Sequence, residues 1–235
     1  NVTILGIDLA KNVFQLHGAD DKGNPVLRKK LTRGKLVETI AKMPTCTIVM
    51  EACSGANHWC RKFTSLGHET KLISPQFVKP FVKTNKNDRN DSEAICEAAL
   101  RPTMRFVSPK TIEQEDIQAT HRIRSRLIEG RTALINQIRG LLTEYGIVIA
   151  QGAAKVSKEL PSILENAENE LSHVSRELFA CLYEELQECN KRIKIYDAKI
   201  ESIFKSNQAC QKIAKIEGIG PITATAIVAT IGDPK

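Results

Sequence analysis

The chain has 235 residues, 42% of them hydrophobic and 26% charged, the balance of a globular protein with a sizeable core, which excludes a disordered or collagen-like polymer. Lys and Arg number 34 against 27 Asp and Glu, a net charge of +7, which favours a polyanionic partner, nucleic acid first. The longest apolar stretch, Ile222 to Ile231, is broken by threonines and falls well short of the ~20 residues a bilayer requires, so no membrane span and no membrane partner are expected. Asp8 and Lys11 interrupt what would have to be the apolar part of a signal peptide. The seven cysteines stand singly with no CxxC pair, which excludes a zinc ribbon or thioredoxin motif and fits free thiols in a reducing cytoplasm.

Residues 1–101 carry 16 basic and 10 acidic side chains, so nearly all of the positive excess lies there. That part reads as α/β. Strands are expected at 3–8, 13–18 and 25–31, with Gly23-Asn24 turning the second into the third. A helix near 35–42 follows, then a strand at 45–50 that ends at Glu51, a helix near 57–65 and a fifth strand at 69–73. The order predicts a mixed five-stranded sheet, with a further helix over 92–100. Beyond Pro102 the period changes. Ile123, Leu127, Gly130, Leu134, Ile138, Leu141 and Tyr145 recur at steps of three and four, as do Leu182, Leu186, Cys189, Ile193, Tyr196, Ile200 and Ile203. Two helices of ~50 Å, packed as an antiparallel coiled coil, are expected to form a hairpin that serves dimerisation or the core of a bundle. Between them, 151–154 reads as a loop and Pro161 as the opening of a short helix.

Asp8 and Glu51 close otherwise apolar strands. A carboxylate there needs a partner, and two at one sheet edge would repel each other unless a cation lay between them. Asp88 and Asp91, three apart at the start of a helix, share a face. Oxygen-only donors suit Mg²⁺ or Mn²⁺ and the chemistry of phosphoryl transfer. Each acid also has a structural role open to it: Asp88 and Asp91 as helix-start residues, Asp8 in a turn, Glu51 paired with a lysine.

The segments Ile7-Asp8-Leu9-Ala10-Lys11, Met50-Glu51-Ala52-Cys53-Ser54-Gly55 and Lys86-Asn87-Asp88-Arg89-Asn90-Asp91-Ser92-Glu93-Ala94, in this order, resemble the DEDD insertion-sequence transposases, the "one-ten" family related to the pilin-gene invertases. The resemblance implies an RNase H-like, RuvC-type catalytic domain over 1–108, in which Asp8, Glu51, Asp88 and Asp91 are the catalytic and metal-binding residues. It implies a helical hairpin over 109–208 and the start of a C-terminal transposase domain over 209–235. It also implies a bacterial, cytoplasmic and nucleoid-associated protein that acts on DNA with a guide (bridge) RNA. A homo-oligomer, dimer or tetramer, is expected through the coiled coil. Family members continue into a segment with a nucleophilic serine. This chain, without a first Met and ending at Gly232-Asp233-Pro234-Lys235, is expected to be a piece that lacks it, and Ser54 is not assigned that role.

The stretch 213–226 has the form of a helix-hairpin-helix. Gly218 and Gly220 would let the backbone approach a phosphate, and Pro221 would open the second helix; packing of helices is the other use of such a turn. Lys11, Lys83, Lys86 and Arg89 are candidate nucleic-acid contacts, with Lys79 beside them and Phe77 and Phe81 either stacking bases or filling core. Arg122, Arg124, Arg126 and Arg131 would grip a duplex or line a solvated coil surface. Two other functions fit the same residues: a metal-dependent junction-resolving nuclease whose acids activate water, and a non-catalytic architectural DNA-binding protein.

Overall fold

The computed structural model describes residues 1–83 and 88–231, except the side chains of residues 88 and 89. Asn1–Thr111 packs as one compact unit and Ile112–Thr230 as a second.

In the first unit the alternation of apolar residues sets strands β1 (Ile4–Asp8), β2 (Val13–Ala19) and β3 (Pro25–Thr32), followed by helix α1 (Arg33–Ala41), β4 (Thr47–Glu51), α2 (Ala56–Thr64) and β5 (Glu69–Ile73). A short helix α3 (Pro75–Val78), a 3₁₀ turn at Lys79–Phe81, α4 (Asp88–Ala99) and β6 (Phe106–Val107) complete it. The described residues form one six-stranded mixed sheet in the order β3-β2-β1-β4-β5-β6. β1 pairs antiparallel with β2 and parallel with β4, and β4 pairs parallel with β5. The expectation of five strands is corrected by β6. Its two residues pair antiparallel with Leu72 and Ile73, too few for any periodicity to show in the sequence.

Period two divides the sheet into two faces. Leu5, Ile7, Phe14, Leu16, Ile48 and Met50 pack under Leu36 and Ile40 of α1 and Trp59 and Phe63 of α2. Ile4, Ala19 and Val49 face Ala94, Ile95 and Ala98 of α4. Gly6 lies on this second face, and a Cβ built there would stand 2.5 Å from the Ser92 carbonyl oxygen and 3.0 Å from the Cys96 amide nitrogen. Only a residue without a side chain lets the helix backbone settle this close to the central strand. His68, buried, accepts the Cys46 amide at 3.3 Å and lies 3.1 Å from the Ile40 carbonyl, so its polar atoms are used to hold the sheet. All seven cysteines are unpaired.

The second unit is helical: α5 (Ile112–Thr143), α6 (Ala153–Glu165), α7 (His173–Ser206), α8 (Gln208–Ile213) and α9 (Pro221–Thr230). α5 and α7 run antiparallel, tied by Arg124 to Asp197 and by Arg131 to Asn190. Leu186, Ile193 and Ile200 are buried at steps of seven, facing a seam that includes Leu127, Leu134 and Ile138. Ile123 and Leu141 are more than a third exposed and Gly130 is exposed, whereas Ile135 and Leu142 are buried with Ile149, Val156 and Leu160. The seam therefore drifts off the expected register where the 146–165 segment covers α5. α6 begins at Ala153, inside the expected loop, and Pro161 lies within the helix instead of opening it. The carbonyl of Ser157, four residues before it and deprived of its amide partner, takes a hydrogen bond from the Tyr183 hydroxyl at 3.5 Å. Pro221 is the first residue of α9, and Gly218 just before it has φ +83°. α9 buries Ala224, Thr225 and Ala229, with Thr225 bonded to His121 and the Val228 carbonyl accepting from Gln114. No helix among the described residues is long and apolar enough to cross a membrane.

Replacing Gly6 by Ala is expected to cost about 1–3 kcal/mol by overpacking. Gly130→Ala, in open space on α5, is expected to gain about 0.5–1 kcal/mol. Urea unfolding of the two variants checks both; equal midpoints would contradict the close approach of α4.

Candidate functional site

The parallel pairing of β1 with β4, in register through Ile7 and Met50, brings the next residue of each strand to the same edge. Those residues are Asp8 and Glu51. Both share a strand face with the residues under α4, since Gly6 and Asp8 alternate with Leu5 and Ile7, and Val49 and Glu51 with Ile48 and Met50. The seat at Gly6 fixes Ser92 against β1 and so holds Asp91, its neighbour in α4, over the same region. All three acids are partly buried.

Burial pushes the Glu51 carboxyl above its ordinary range, and the charge of Asp91 pushes it further. The Cys53 thiol is raised by burial and then by the charges of Glu51 and Asp8. A carboxylate crowded by the charge of a second suits a cation between the two. Among the described residues no three His, Cys, Asp or Glu side chains form a ready metal cage. Mg²⁺ does not require one, because it keeps several waters and is held by one or two carboxylates together with substrate phosphate. The oxygen-only donor set of Asp8, Glu51 and Asp91 fits such an ion. The backbone of Asp88 opens α4, while its side chain lies outside the described residues.

The basic candidates fall into different surroundings. Lys11 is exposed and lines a cavity of about 450 Å³ with Arg33, Ser54, His58 and Trp59. Arg33 spans it, donating to the Lys11 carbonyl at 3.3 Å with its guanidinium carbon 5.0 Å from the Trp59 ring centre. Lys83 is held by Glu93 at 2.6 Å and Glu97 at 3.1 Å. Lys86 and the Arg89 side chain lie outside the described residues. Gly218 and Gly220 stand in the turn between α8 and α9, with nothing among the described residues near enough to touch an added Cβ. Phe81 packs partly into the α4 core, with the Arg101 guanidinium 5.4 Å from its ring centre, and Phe77 is more exposed. Arg124 and Arg131 are engaged within the α5–α7 pair.

Gln15, Arg33 and His58 were not singled out by sequence reasoning. Gln15 pairs with Asp8 across β1 and β2. Alternation in the second strand places Gln15 and His17 on one face, and the signal stops there, because which face it is depends on the sheet order.

A family model described as Transposase, of the DEDD type named for IS110, matches residues 5–147. The chain is 48% identical over 233 residues to the transposase for insertion sequence element IS1111A of Coxiella burnetii, covering 99% of this chain and 64% of that protein. It is 42% identical to a probable family 20 transposase of Pseudomonas aeruginosa and 41% identical to the transposase for insertion sequence element IS1328 of Yersinia enterocolitica, covering all of this chain and 70% of each relative. The chain thus spans less than two thirds of the Coxiella relative. A solved structure of Thermus thermophilus RuvC in complex with a Holliday junction substrate aligns with a TM-score of 0.34 and 11% identity, covering 46% of this chain and all of that one.

The raised carboxyl of Glu51 has a pH signature. Its folded value lies above the ordinary 4.5, so the fold holds this proton more tightly than the unfolded chain, and stability is lost as pH rises through that window. Glu51→Gln removes the loss. In chelator the variant is expected to melt above the parent at neutral pH, with the advantage shrinking toward pH 4; an advantage independent of pH would contradict the crowding of these carboxylates.

Proposed function

This chain belongs to the DEDD transposase family of the IS110 type, and on that premise we propose that its first unit is a Mg²⁺-dependent catalytic domain for cutting and exchanging DNA strands. The observation that carries the reading is the meeting of Asp8 and Glu51 at one edge and on one face of the sheet, beneath the helix that bears Asp91. Asp8, Glu51, Asp88 and Asp91 would hold the ion. When bound, it supplies charge neutralisation at the scissile phosphate and stabilises the attacking and leaving oxygens.

The chain's own residues supply position and exclusion. Asp8 and Glu51 stand at the ends of hydrogen-bonded strands, so their oxygens approach a phosphate from a rigid platform. Partial burial keeps water from screening them. Burial, and after it the charge of Asp91, raises the Glu51 carboxyl, so it holds a proton more readily than an ordinary glutamate. Lys11, at the mouth of the neighbouring cavity, would bring a backbone phosphate toward the strand ends, and the turn at Gly218 and Gly220 would offer a second backbone contact without reading bases. None of the serines of this chain is assigned as nucleophile. Guidance by an RNA and assembly through the α5–α7 hairpin belong to the same proposal and rest on family resemblance.

Calorimetric titration with Mn²⁺ in the presence of DNA tests it. The parent chain is expected to take up the ion, and Asp8→Asn and Asp91→Asn to lose uptake while remaining folded. No uptake by the parent, or unchanged uptake by both variants, would remove the basis of the proposal. With the whole transposase, a trapped covalent protein–DNA adduct is expected; free cut ends without an adduct would mean hydrolysis by the same acids instead.

A further inference from the structure

On the face of the sheet that carries the carboxylates, a hollow of about 170 Å³ lies over β2 and β3, lined by Gln15, His17, Arg28, Lys30 and Ser92. Strand register orders these residues. Asp8 pairs with Gln15 and Gln15 with Lys30, while Gly6 pairs with His17 and His17 with Arg28. Two parallel rows therefore run from the central strand to the open edge at β3, one from Asp8 through Gln15 to Lys30, the other from Gly6 through His17 to Arg28. With neighbouring strands ~4.8 Å apart, Lys30 sits ~10 Å from the Asp8 position, a span of a few nucleotide steps at ~3.4 Å of axial rise each.

His17 is only 5% exposed, and its Nδ1 has no hydrogen-bond partner among the described residues. A buried polar atom of this kind nearly always has a partner, and the hollow that His17 lines is where one can reach the ring. The charges around it favour an anion. Of the nearby carboxylates, Glu93 is bonded by Arg28 at 3.3 Å and by Lys83 at 2.6 Å, and Glu97 by Lys83 at 3.1 Å. Lys30 is exposed at the rim, and the Arg28 side chain remains 42% exposed.

We propose that this hollow docks one backbone phosphate of the DNA strand, a few nucleotides from the bond held at Asp8 and Glu51, with the His17 ring, Arg28 and Lys30 as donors. The inference rests on the reading of the carboxylates as the cleavage site and adds the path of the strand: across β2 and off the sheet at β3. His17, in the tautomer with its proton on Nδ1, donates to a phosphate oxygen. Lys30 and Arg28 supply charge, which positions the strand and carries no sequence information.

The test is binding of a fluorescein-labelled single-stranded oligodeoxynucleotide to the 235-residue chain over a range of salt concentrations, followed by anisotropy. Lys30→Ala is expected to reduce the slope of log affinity against log salt by about one, and to weaken binding more than Lys42→Ala, which removes a positive charge at the residue that follows α1. His17→Phe, checked for folding by its melting temperature, is expected to weaken binding about tenfold. In the parent, the His17 ring nitrogen signals in long-range ¹H–¹⁵N spectra should move on addition of the oligonucleotide, whatever the fate of the Phe variant. Identical behaviour of Lys30→Ala and Lys42→Ala, or ring signals that respond to inorganic phosphate and not to DNA, would overturn the proposal. So would ring signals that respond to neither, which would leave water as the occupant. Mn²⁺ uptake by the parent separates the two levels: uptake with an indifferent Lys30 discards the strand path alone, whereas a parent that binds neither ion nor DNA discards the cleavage site with it.

Discussion

A methyl group on Gly6 would collide with the backbone of α4, and the geometry of the first unit's α4 face follows from that contact. The helix lies directly on the central strand because nothing projects between them. Ser92 and Cys96 are the touching residues, so the turn that begins with Asp91 is carried to the end of β1 where Asp8 stands. The parallel neighbour β4 delivers Glu51 to the same place by register alone. Three acids distant in the chain are thereby set against one another by a missing side chain and a strand pairing.

Burial first, and then the charges of neighbouring carboxylates, raises the Glu51 carboxyl and the Cys53 thiol, so the convergence has a cost. It is sustained by the opposite face, where Phe14, Trp59 and Phe63 interlock, with ring centres 5.1 and 5.4 Å apart in successive pairs, beneath fully buried Leu36 and Ile40. Burial of large apolar side chains at roughly 1.5–3 kcal/mol each readily offsets the repulsion of a few half-buried carboxylates. The two faces thus have separate tasks: one supplies stability, and the other presents charge. Carboxylate oxygens held close together on one face are suited to a cation and a phosphate arriving together.

Much of this was legible in the sequence, for local reasons. A short apolar run marks the first strand, alternation the third and the Gly23-Asn24 turn the link from the second to the third, and β5 falls at 69–73 as read. Asp8 and Glu51 stood out because a charge closes an apolar run. What sequence could not supply depends on neighbours remote in the chain. β6 is a strand only because β5 has a free edge. Pro161 sits inside α6 because Tyr183 comes near the Ser157 carbonyl. Leu141 looks like a seam residue until the 146–165 segment shifts burial to Leu142. Lys83 reads as a phosphate contact, yet Glu93 and Glu97 hold it. Gln15 and His17 carry no signal of their own until the sheet order sets them beside Asp8 and Gly6.

In the proposed site, Asp8 and Glu51 bind one divalent ion at the ends of β1 and β4, with Asp91 beside them. Anomalous diffraction from crystals of this chain grown with Mn²⁺ and a DNA strand locates that ion directly. A peak beside the Asp8 and Glu51 carboxylates is expected; a peak elsewhere on the chain, or none with DNA in place, would rule this site out.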